Sequence, residues 1–289
     1  MKIANCLKAA LAAVTLSLLP AAATQAQEKS TWDQIFETKT LRLGCAQSEP
    51  WCFKDASGEE GPGAYKSGDT VWRGVSVQLG KSIADAMGVK LEVVETTWGN
   101  AVAGLQANQF DFMFVLDATP ERALAIDFAG PILWYPVALL VPEDFKPTTW
   151  AEMNDPQYTF GAVTGTTFVR ALEKYTPKAN IVTFQQSSEV IAAFQAGRIM
   201  GSTGTGPNAD VARTRLGVGK TLVPTPVQAY STGAGIRKEA DKRWRDYLQV
   251  AVTYYYDNGT TDGFYRDFLA WRGLDPETAV STRREVLLR

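Results

Sequence analysis

The chain has 289 residues, of which 45% are hydrophobic and 21% are charged, and its formal net charge is −2. These values exclude a disordered tail, a collagen and a small disulfide scaffold, and the sequence has no basic cluster of the kind that binds nucleic acid. Because the chain contains no histidine, it has neither a Ser-His or Cys-His nucleophile nor histidine-ligated metal, so we expect no metal and no cofactor.

The first 26 residues have the three parts of a cleavable signal peptide. Lys2 and Lys8 supply positive charge, an Ala- and Leu-rich run follows at residues 9–23, and residues 24–26 place small side chains where a signal peptidase reads. The apolar run is shorter than a bilayer-spanning helix. We therefore predict export to the periplasm and removal of residues 1–26.

Strands and helices alternate through the rest of the chain, which predicts an α/β fold with mostly parallel, buried strands. The patterns predict strands at residues 41–45, 90–95, 110–116, 160–163 and 181–184. They predict helices at residues 32–37, 78–87, 101–107, near 150, and at 168–175, 190–196, 238–257 and 263–271, with a glycine-rich loop at 55–73.

Two series of strands and helices in one chain predict two lobes. We assign residues 27–139 and 231–289 to lobe 1 and residues 140–230 to lobe 2, with extended crossing stretches at 138–142 and 230–236. Ligands of open α/β sheets bind beyond the carboxyl ends of the strands. Two lobes that face each other in this way would enclose a binding cleft.

Two cysteines remain after the predicted signal peptide. Cys45 and Cys52 are seven residues apart. Paired cysteines of exported proteins usually oxidise, so a disulfide is favoured over two unpaired thiols.

The stretch from Asp117 to Arg122 follows a predicted buried strand and has the signature of a helix start. Thr119 suits the N-cap, and the proline after it suits the first helical position. Arg122 then lies one turn into a short helix, where its guanidinium can hold a carboxylate through two parallel hydrogen bonds. The alternative is that Arg122 pairs with Glu121 or Asp127 on a solvated face.

The turn Gly165-Thr166-Thr167 is a second candidate site. It lies between a predicted strand and a predicted helix, and free backbone N–H groups at a helix start suit a carboxylate. The alternative is a plain N-cap without a ligand.

In serial order these motifs resemble the periplasmic solute-binding proteins of polar-amino-acid ABC importers, over nearly the whole chain after residue 26. The segments that carry the resemblance are Leu41-Arg42-Leu43-Gly44, Pro50-Trp51-Cys52-Phe53, Trp98-Gly99-Asn100 with Leu105-Gln106, Phe110-Asp111, Thr119-Pro120-Glu121-Arg122 with Asp127-Phe128 and Pro131, Gly165-Thr166-Thr167, and Asp257-Asn258-Gly259-Thr260 with Trp271. The resemblance implies a two-lobe periplasmic binding protein of type II, each lobe a mostly parallel sheet flanked by helices, joined by two hinge strands near Pro142 and Ser231.

The resemblance also implies roles for individual residues. Arg122 would bind the α-carboxylate of the ligand, helped by Thr166 and Thr167. Trp51 and Phe53 would line the side-chain pocket.

The sequence departs from the family where the ligand ammonium is bound. Family members that bind α-amino acids carry an aspartate at the position aligned with Thr205, and threonine cannot neutralise a buried ammonium. Asp117 stands where the family typically has Ser or Thr. Either Asp117 has taken over the ammonium, or the ligand lacks one, or Asp117 only neutralises Arg122; Glu49 is a further acid that could meet a cationic group.

We therefore expect a binding protein and not an enzyme: the extracytoplasmic component of an ABC importer, which carries an amino acid or related small carboxylate to an inner-membrane permease. The chain is expected to be a monomer without a nucleic-acid partner. The alternative is a dehydratase-like enzyme on the same fold that acts on a prephenate-like acid, with Asp117 or Glu49 as the general acid. The candidate ligand-binding residues are Arg122, Asp117, Thr119, Thr166, Thr167, Trp51, Phe53, Thr205, Glu49 and Trp98.

Overall fold

The computed structural model describes residues 29–59, 61 and 63–287, so the predicted signal peptide lies outside the described residues. The strands are β1 (Thr40–Ala46), β2 (Phe53–Lys54), β3 (Ala64–Ser67), β4 (Thr70–Arg73), β5 (Lys90–Thr96), β6 (Phe112–Leu116), β7 (Ile126–Val141), β8 (Thr159–Val163), β9 (Asn180–Phe184), β10 (Gly201–Thr205), β11 (Lys220–Leu222) and β12 (Ala229–Arg237). The helices are α1 (Thr31–Thr38), α2 (Val75–Met87), α3 (Ala101–Gln106), α4 (Pro120–Ala125), α5 (Trp150–Met153), α6 (Thr167–Tyr175), α7 (Ser187–Gln195), α8 (Gly206–Leu216), α9 (Arg243–Asp257), α10 (Thr260–Trp271) and α11 (Arg284–Leu287).

The main sheet of the described chain has the strand order β5-β1-β6-β12-β7-β10-β8-β9, and β11 also pairs with β7. Strand β1 is parallel to β5 and β6, and β8 is parallel to β9 and β10. Strands β12, β10 and β11 run antiparallel to β7. Because helices connect the parallel strands and cover the sheet, the α/β architecture predicted from the sequence is confirmed.

Strand β7 belongs to both halves of this sheet. Residues 126–136 pair with β12, whereas residues 137–141 pair with β10 and β11. We call the half with β5, β1, β6 and β12 the first lobe and the half with β10, β8, β9 and β11 the second lobe. The predicted crossing stretch at 230–236 lies in β12. The stretch at 138–142 overlaps the end of β7 but follows the change of partner between residues 136 and 137. The predicted lobe boundaries at 139/140 and 230/231 stay a prediction.

A buried ion pair ties the first lobe together. Asp111, only 2% exposed, accepts a hydrogen bond from Nη2 of Arg42 at 2.6 Å and another from the backbone N–H of Arg42 at 2.7 Å. The indole N–H of Trp244 donates to the backbone carbonyl of Asp111 at 3.1 Å. One residue therefore connects β1, the start of β6 and α9.

The segment 55–73, predicted to be a loop, contains a β-hairpin. Strands β3 and β4 pair around Gly68-Asp69, and β4 also pairs with β2. The Tyr65 hydroxyl donates to the carbonyl of Leu91 on edge strand β5 at 2.6 Å. The prediction of a loop was wrong, because it overlooked two alternating runs on either side of a two-residue turn, which are a hairpin signal. The hairpin covers an edge of the main sheet that would otherwise be exposed.

Several other predictions of secondary structure need correction. Helix α9 begins at Arg243 and not at 238, because the carboxylate of Asp241 accepts from the backbone N–H of Arg243 at 2.9 Å and stands before the first turn. Strand β10 and helix α8 were not predicted. The strand contains two glycines in five residues, and the helix has no clear apolar stripe.

No helix in the described part of the chain combines the length and the apolar character that a membrane crossing needs.

Candidate functional site

A cavity of about 480 Å³ lies between the two lobes. This volume is in the range of small-molecule sites in proteins. The predicted site residues in its wall are Glu49, Trp51, Phe53, Trp98, Asp117, Arg122, Thr166 and Thr205. The other two do not line the cavity but contact residues that do: Thr119 is hydrogen-bonded to Arg122, and Thr167 to Asp117.

Arg122 connects the two lobes at the cavity wall. It lies in α4, where Thr119 is the N-cap and accepts the backbone N–H of Arg122 at 3.3 Å, as the sequence predicts. Its Nη1 donates to the backbone carbonyl of Asp117 at 2.9 Å, and its Nη2 donates to the carbonyl of Gly165 in the second lobe at 2.7 Å. Burial lowers the pKa of the guanidinium.

The acids that neighbour Arg122 in sequence are engaged elsewhere. Glu121 pairs with Arg170 of α6 at 2.9 Å, and Asp127 pairs with Lys242. The alternative in which Arg122 pairs with Glu121 or Asp127 is therefore wrong. Among the described residues, no carboxylate is in ion-pair range of the Arg122 guanidinium.

Asp117 has a buried carboxyl group in the cavity wall, and the residue is 9% exposed. The Tyr135 hydroxyl donates to Oδ1 at 2.6 Å, and the Thr167 hydroxyl of the second lobe donates to Oδ2. Burial raises the pKa of the carboxyl group, and the two hydroxyl hydrogen bonds offset this only in part. Arg122 contacts the backbone carbonyl of Asp117 and not the carboxylate, so the two side chains do not form an ion pair.

The raised pKa of Asp117 predicts a pH-dependent loss of stability in the ligand-free protein. An acid whose folded pKa is raised costs nothing below its unfolded pKa, about 4. Its cost grows as pH rises from that value towards the folded pKa and is constant above it. We therefore expect the free energy of unfolding of the wild type, relative to Asp117→Asn, to fall as pH rises from 4 to 8. Urea unfolding of both proteins measures it, and a constant difference would contradict it.

The turn Gly165-Thr166-Thr167 brings the second lobe against the first. Gly165 has φ +80°, and a Cβ there would lie 2.9 Å from the Cα of Gly99, so glycine alone fits this contact. Thr166 is the N-cap of α6 and lines the cavity, but its hydroxyl donates to the carbonyl of Val163 at 2.6 Å and caps no helical N–H. The first N–H groups of a helix lack partners within it, and the start of α6 borders the cavity.

Thr205 is engaged in a helix cap. Its Oγ1 accepts the backbone N–H of Asn208 at 3.0 Å and donates to Oδ1 of Asn208 at 2.6 Å. Asn208 in turn donates to the Ser48 hydroxyl at 3.0 Å and to the backbone carbonyl of Glu49. Sequence reasoning missed Asn208, which links α8 of the second lobe to the first.

The carboxylate of Glu49 lies between two arginines. Arg215 of the second lobe contacts Oε1 at 3.0 Å, and Arg272 contacts Oε2 at 2.8 Å. The side chain of Glu49 is 13% exposed. Its charge is therefore already compensated by the protein, which argues against the prediction that Glu49 meets a cationic group of the ligand.

The aromatic residues of the loop after β1 belong both to the cavity wall and to the core. Trp51 is 2% exposed and stacks on Tyr265 at 6.1 Å between ring centroids, and Phe53 packs edge-on against Phe268 at 6.0 Å. The predicted Cys45–Cys52 disulfide is present and closes this loop. Trp98 also lines the cavity and is half-buried.

The described residues contain no group of three or more Cys, Asp or Glu side chains placed to hold a metal ion.

Comparisons with known proteins place the chain among solute-binding proteins. Residues 50–270 match the family model of bacterial extracellular solute-binding proteins, family 3. The chain is 26% identical to a probable amino-acid ABC transporter periplasmic-binding protein of Sinorhizobium fredii. This alignment spans 150 residues and covers 50% of each chain. It is also 30% identical to cyclohexadienyl dehydratase of Pseudomonas aeruginosa. This second alignment spans 119 residues and covers 41% of this chain and 40% of that protein.

The aligned part of the chain thus spans half or less of the length of these curated relatives. A solved structure is similar over a larger part. The ancestral amino acid-binding protein AncCDT-1, described as a precursor of cyclohexadienyl dehydratase, is 28% identical with a TM-score of 0.72, over 83% of this chain and 99% of that one. The predicted two-lobe fold is confirmed by this likeness.

Proposed function

Since this chain belongs to the bacterial extracellular solute-binding proteins, family 3, we propose that it is the substrate-binding component of an ABC importer. It binds an amino acid or a related small carboxylate in the cavity between the lobes and delivers it to a permease in the inner membrane. The relative from Sinorhizobium fredii, named as a probable amino-acid ABC transporter periplasmic-binding protein, supports this role.

The observation that carries the proposal is the state of Arg122. Its guanidinium borders a cavity between the lobes, and its two hydrogen-bond acceptors among the described residues are neutral backbone carbonyls. A guanidinium can hold a carboxylate through two parallel, charge-assisted hydrogen bonds. A ligand carboxylate would thus replace two neutral contacts with an ion pair, helped by Thr166 and the start of α6 from the other lobe.

Contacts across the cavity explain how binding would favour closure. Arg122 reaches Gly165, Thr167 reaches Asp117, and Asn208 reaches Ser48. A ligand that touches both sides stabilises the arrangement in which they meet, by an amount equal to its differential affinity for that arrangement.

A calorimetric screen tests the proposal. We expect one-to-one binding of at least one member of a panel of the common amino acids, their deaminated analogues and small organic acids. If a protein with a normal thermal unfolding transition binds no member of the panel, the proposed function is contradicted.

The location follows from the same role. We propose that the protein is exported to the periplasm, loses residues 1–26 and acts there as a monomer. Fractionation of cells that express the full chain, followed by intact-mass measurement, tests this. Recovery of the full-length mass from the cytoplasmic fraction would contradict it.

A dehydratase is the second candidate. It is favoured by the 30% identity with cyclohexadienyl dehydratase and by the buried carboxyl group of Asp117 in the cavity, whose raised pKa suits a proton donor. The general acid would protonate the hydroxyl of a prephenate-like acid, which leaves as water, while the ring carboxylate leaves as CO2 and its C–C bonding pair completes the aromatic ring. Turnover of such an acid to an aromatic product, lost in Asp117→Asn, would establish this activity; no turnover would exclude it.

A further inference from the structure

The charged side chains in the cavity wall fall into two groups. Among the described residues, the charged members of the wall are Glu49, Lys54, Asp117, Arg122 and Arg215. Glu49 is paired with Arg215 at 3.0 Å, and Lys54 is paired with Glu95, which lies outside the wall. The protein itself therefore compensates these charges.

Asp117 and Arg122 form no ion pair with any group of the described structure, although the charge of Arg122 lowers the pKa of Asp117 and so offsets part of the effect of burial. The carboxylate of Asp117 accepts from two neutral hydroxyls, and the guanidinium of Arg122 donates to two neutral carbonyls. One of those carbonyls belongs to Asp117 itself. One negative and one positive group thus border the same part of the cavity.

We infer that the cavity is built for a zwitterion, an α-amino acid with an uncharged side chain, whose carboxylate binds Arg122 and whose ammonium binds Asp117. This inference rests on the proposed function and narrows its substrate class. Both charged groups of the ligand would be held by the first lobe, and the second lobe would supply hydroxyls and apolar contacts.

The remaining acceptor capacity of Asp117 fits this assignment. A carboxylate offers about four acceptor positions, and Tyr135 and Thr167 donate one hydrogen bond each. A buried carboxylate with no cation in direct contact is costly, so a ligand that supplies an ammonium is favoured over one that does not.

The other candidate partners for the ammonium are occupied. Thr205, which aligns with the family's acid, uses its hydroxyl in the cap of α8. Glu49 is held by two arginines. Neither is available to a ligand cation.

The rest of the wall indicates an uncharged side chain. Apolar members of the wall include Trp98, Leu140, Phe168, Val190, Ile191 and Leu216. Thr203 also lines the cavity and offers a free hydroxyl to a ligand, because it is 5% exposed and its Oγ1 has no hydrogen-bond partner among the described residues. A ligand side chain that is apolar, or that reaches this hydroxyl with a neutral polar group, fits such a wall.

Calorimetry with matched ligands tests the inference. The probes are L-leucine, L-methionine, L-phenylalanine, L-threonine and L-glutamine, with L-arginine, L-lysine and L-glutamate as charged competitors. We expect an uncharged amino acid to bind at least ~10-fold more tightly than any of the three charged ones. Analogues of that amino acid that lack the ammonium or the carboxylate should bind at least ~30-fold more weakly than it does.

Variants separate a role in recognition from a role in folding. Asp117→Asn should weaken the preferred amino acid by at least ~30-fold but change the affinity of its deaminated analogue by less than ~3-fold. Asp117→Ser is a second variant, which replaces the carboxylate with a hydroxyl, and it should weaken the preferred amino acid in the same way. Asp144→Asn makes the same change at an exposed acid and should leave both affinities unchanged.

Several outcomes would overturn the inference. A deaminated acid or L-arginine as the tightest ligand would refute the zwitterion with an uncharged side chain, yet leave the proposed function standing. Unchanged amino-acid affinity in both Asp117 variants would do the same. If no carboxylate in the panel binds, the inference and the proposed function fail together.

Discussion

Replacing Arg122 by alanine is expected to weaken the binding of any carboxylate ligand by about 3 kcal/mol, on the order of 100-fold. The variant removes the one guanidinium in the described cavity wall that forms no ion pair with a carboxylate of the protein. The ligand carboxylate would then be buried without a cation, and this leaves most of its desolvation cost unmatched. Isothermal titration with the preferred ligand measures the loss.

Two further variants show whether the binding of the carboxylate depends on the geometry of the Arg122 guanidinium or only on its charge. Arg122→Lys keeps the charge but cannot form two parallel bonds, so we expect an intermediate affinity. Arg170→Ala removes an arginine whose side chain is 59% exposed and which pairs with Glu121, and it should bind nearly as the wild type does. Wild-type affinity in Arg122→Ala would refute the carboxylate site.

Removing the Asp111 side chain is expected to destabilise the fold by about 3–5 kcal/mol. Asp111→Ala would leave the positive charge of Arg42 partly buried and unpaired, and it would also remove the acceptor of the Arg42 backbone N–H. Urea unfolding at neutral pH measures the change in the free energy of unfolding.

A surface pair provides the control for this prediction. Lys81 and Asp85 form an exposed pair on one face of α2, and such pairs contribute about 1 kcal/mol or less. Asp85→Ala should therefore be nearly neutral. The double variant Arg42→Met, Asp111→Ala should recover part of the stability, since an apolar replacement removes both charges. Equal, small effects of Asp111→Ala and Asp85→Ala would contradict the structural role of Asp111.

Local signals predicted much of the fold. The cap at Thr119 and the disulfide between Cys45 and Cys52 each depend on a few neighbouring residues, and the structure contains both. The hairpin in segment 55–73 was missed although its turn is also local, because its many glycines and polar residues outweighed two short strands.

The partners inside the site could not be predicted in the same way. Glu49 meets Arg215 and Arg272, which are 166 and 223 residues away in sequence. Asn208 reaches Ser48 across 160 residues. A single sequence carries no signal for such pairs, so it showed which acids were present but not which of them the protein itself neutralises.

Strand β7 also determines the mechanics of the molecule. It continues unbroken for 16 residues while its partner changes from β12 to β10 between Pro136 and Val137. At this level the N–H of Val137 still donates to the carbonyl of Gln228 at 2.7 Å, so the two crossing strands remain tied to each other. The lobes are thus joined by two strands that are hydrogen-bonded to each other. We expect the stiffness of this pair near Pro136 to affect the rate at which a bound ligand dissociates, although Pro136 does not line the cavity.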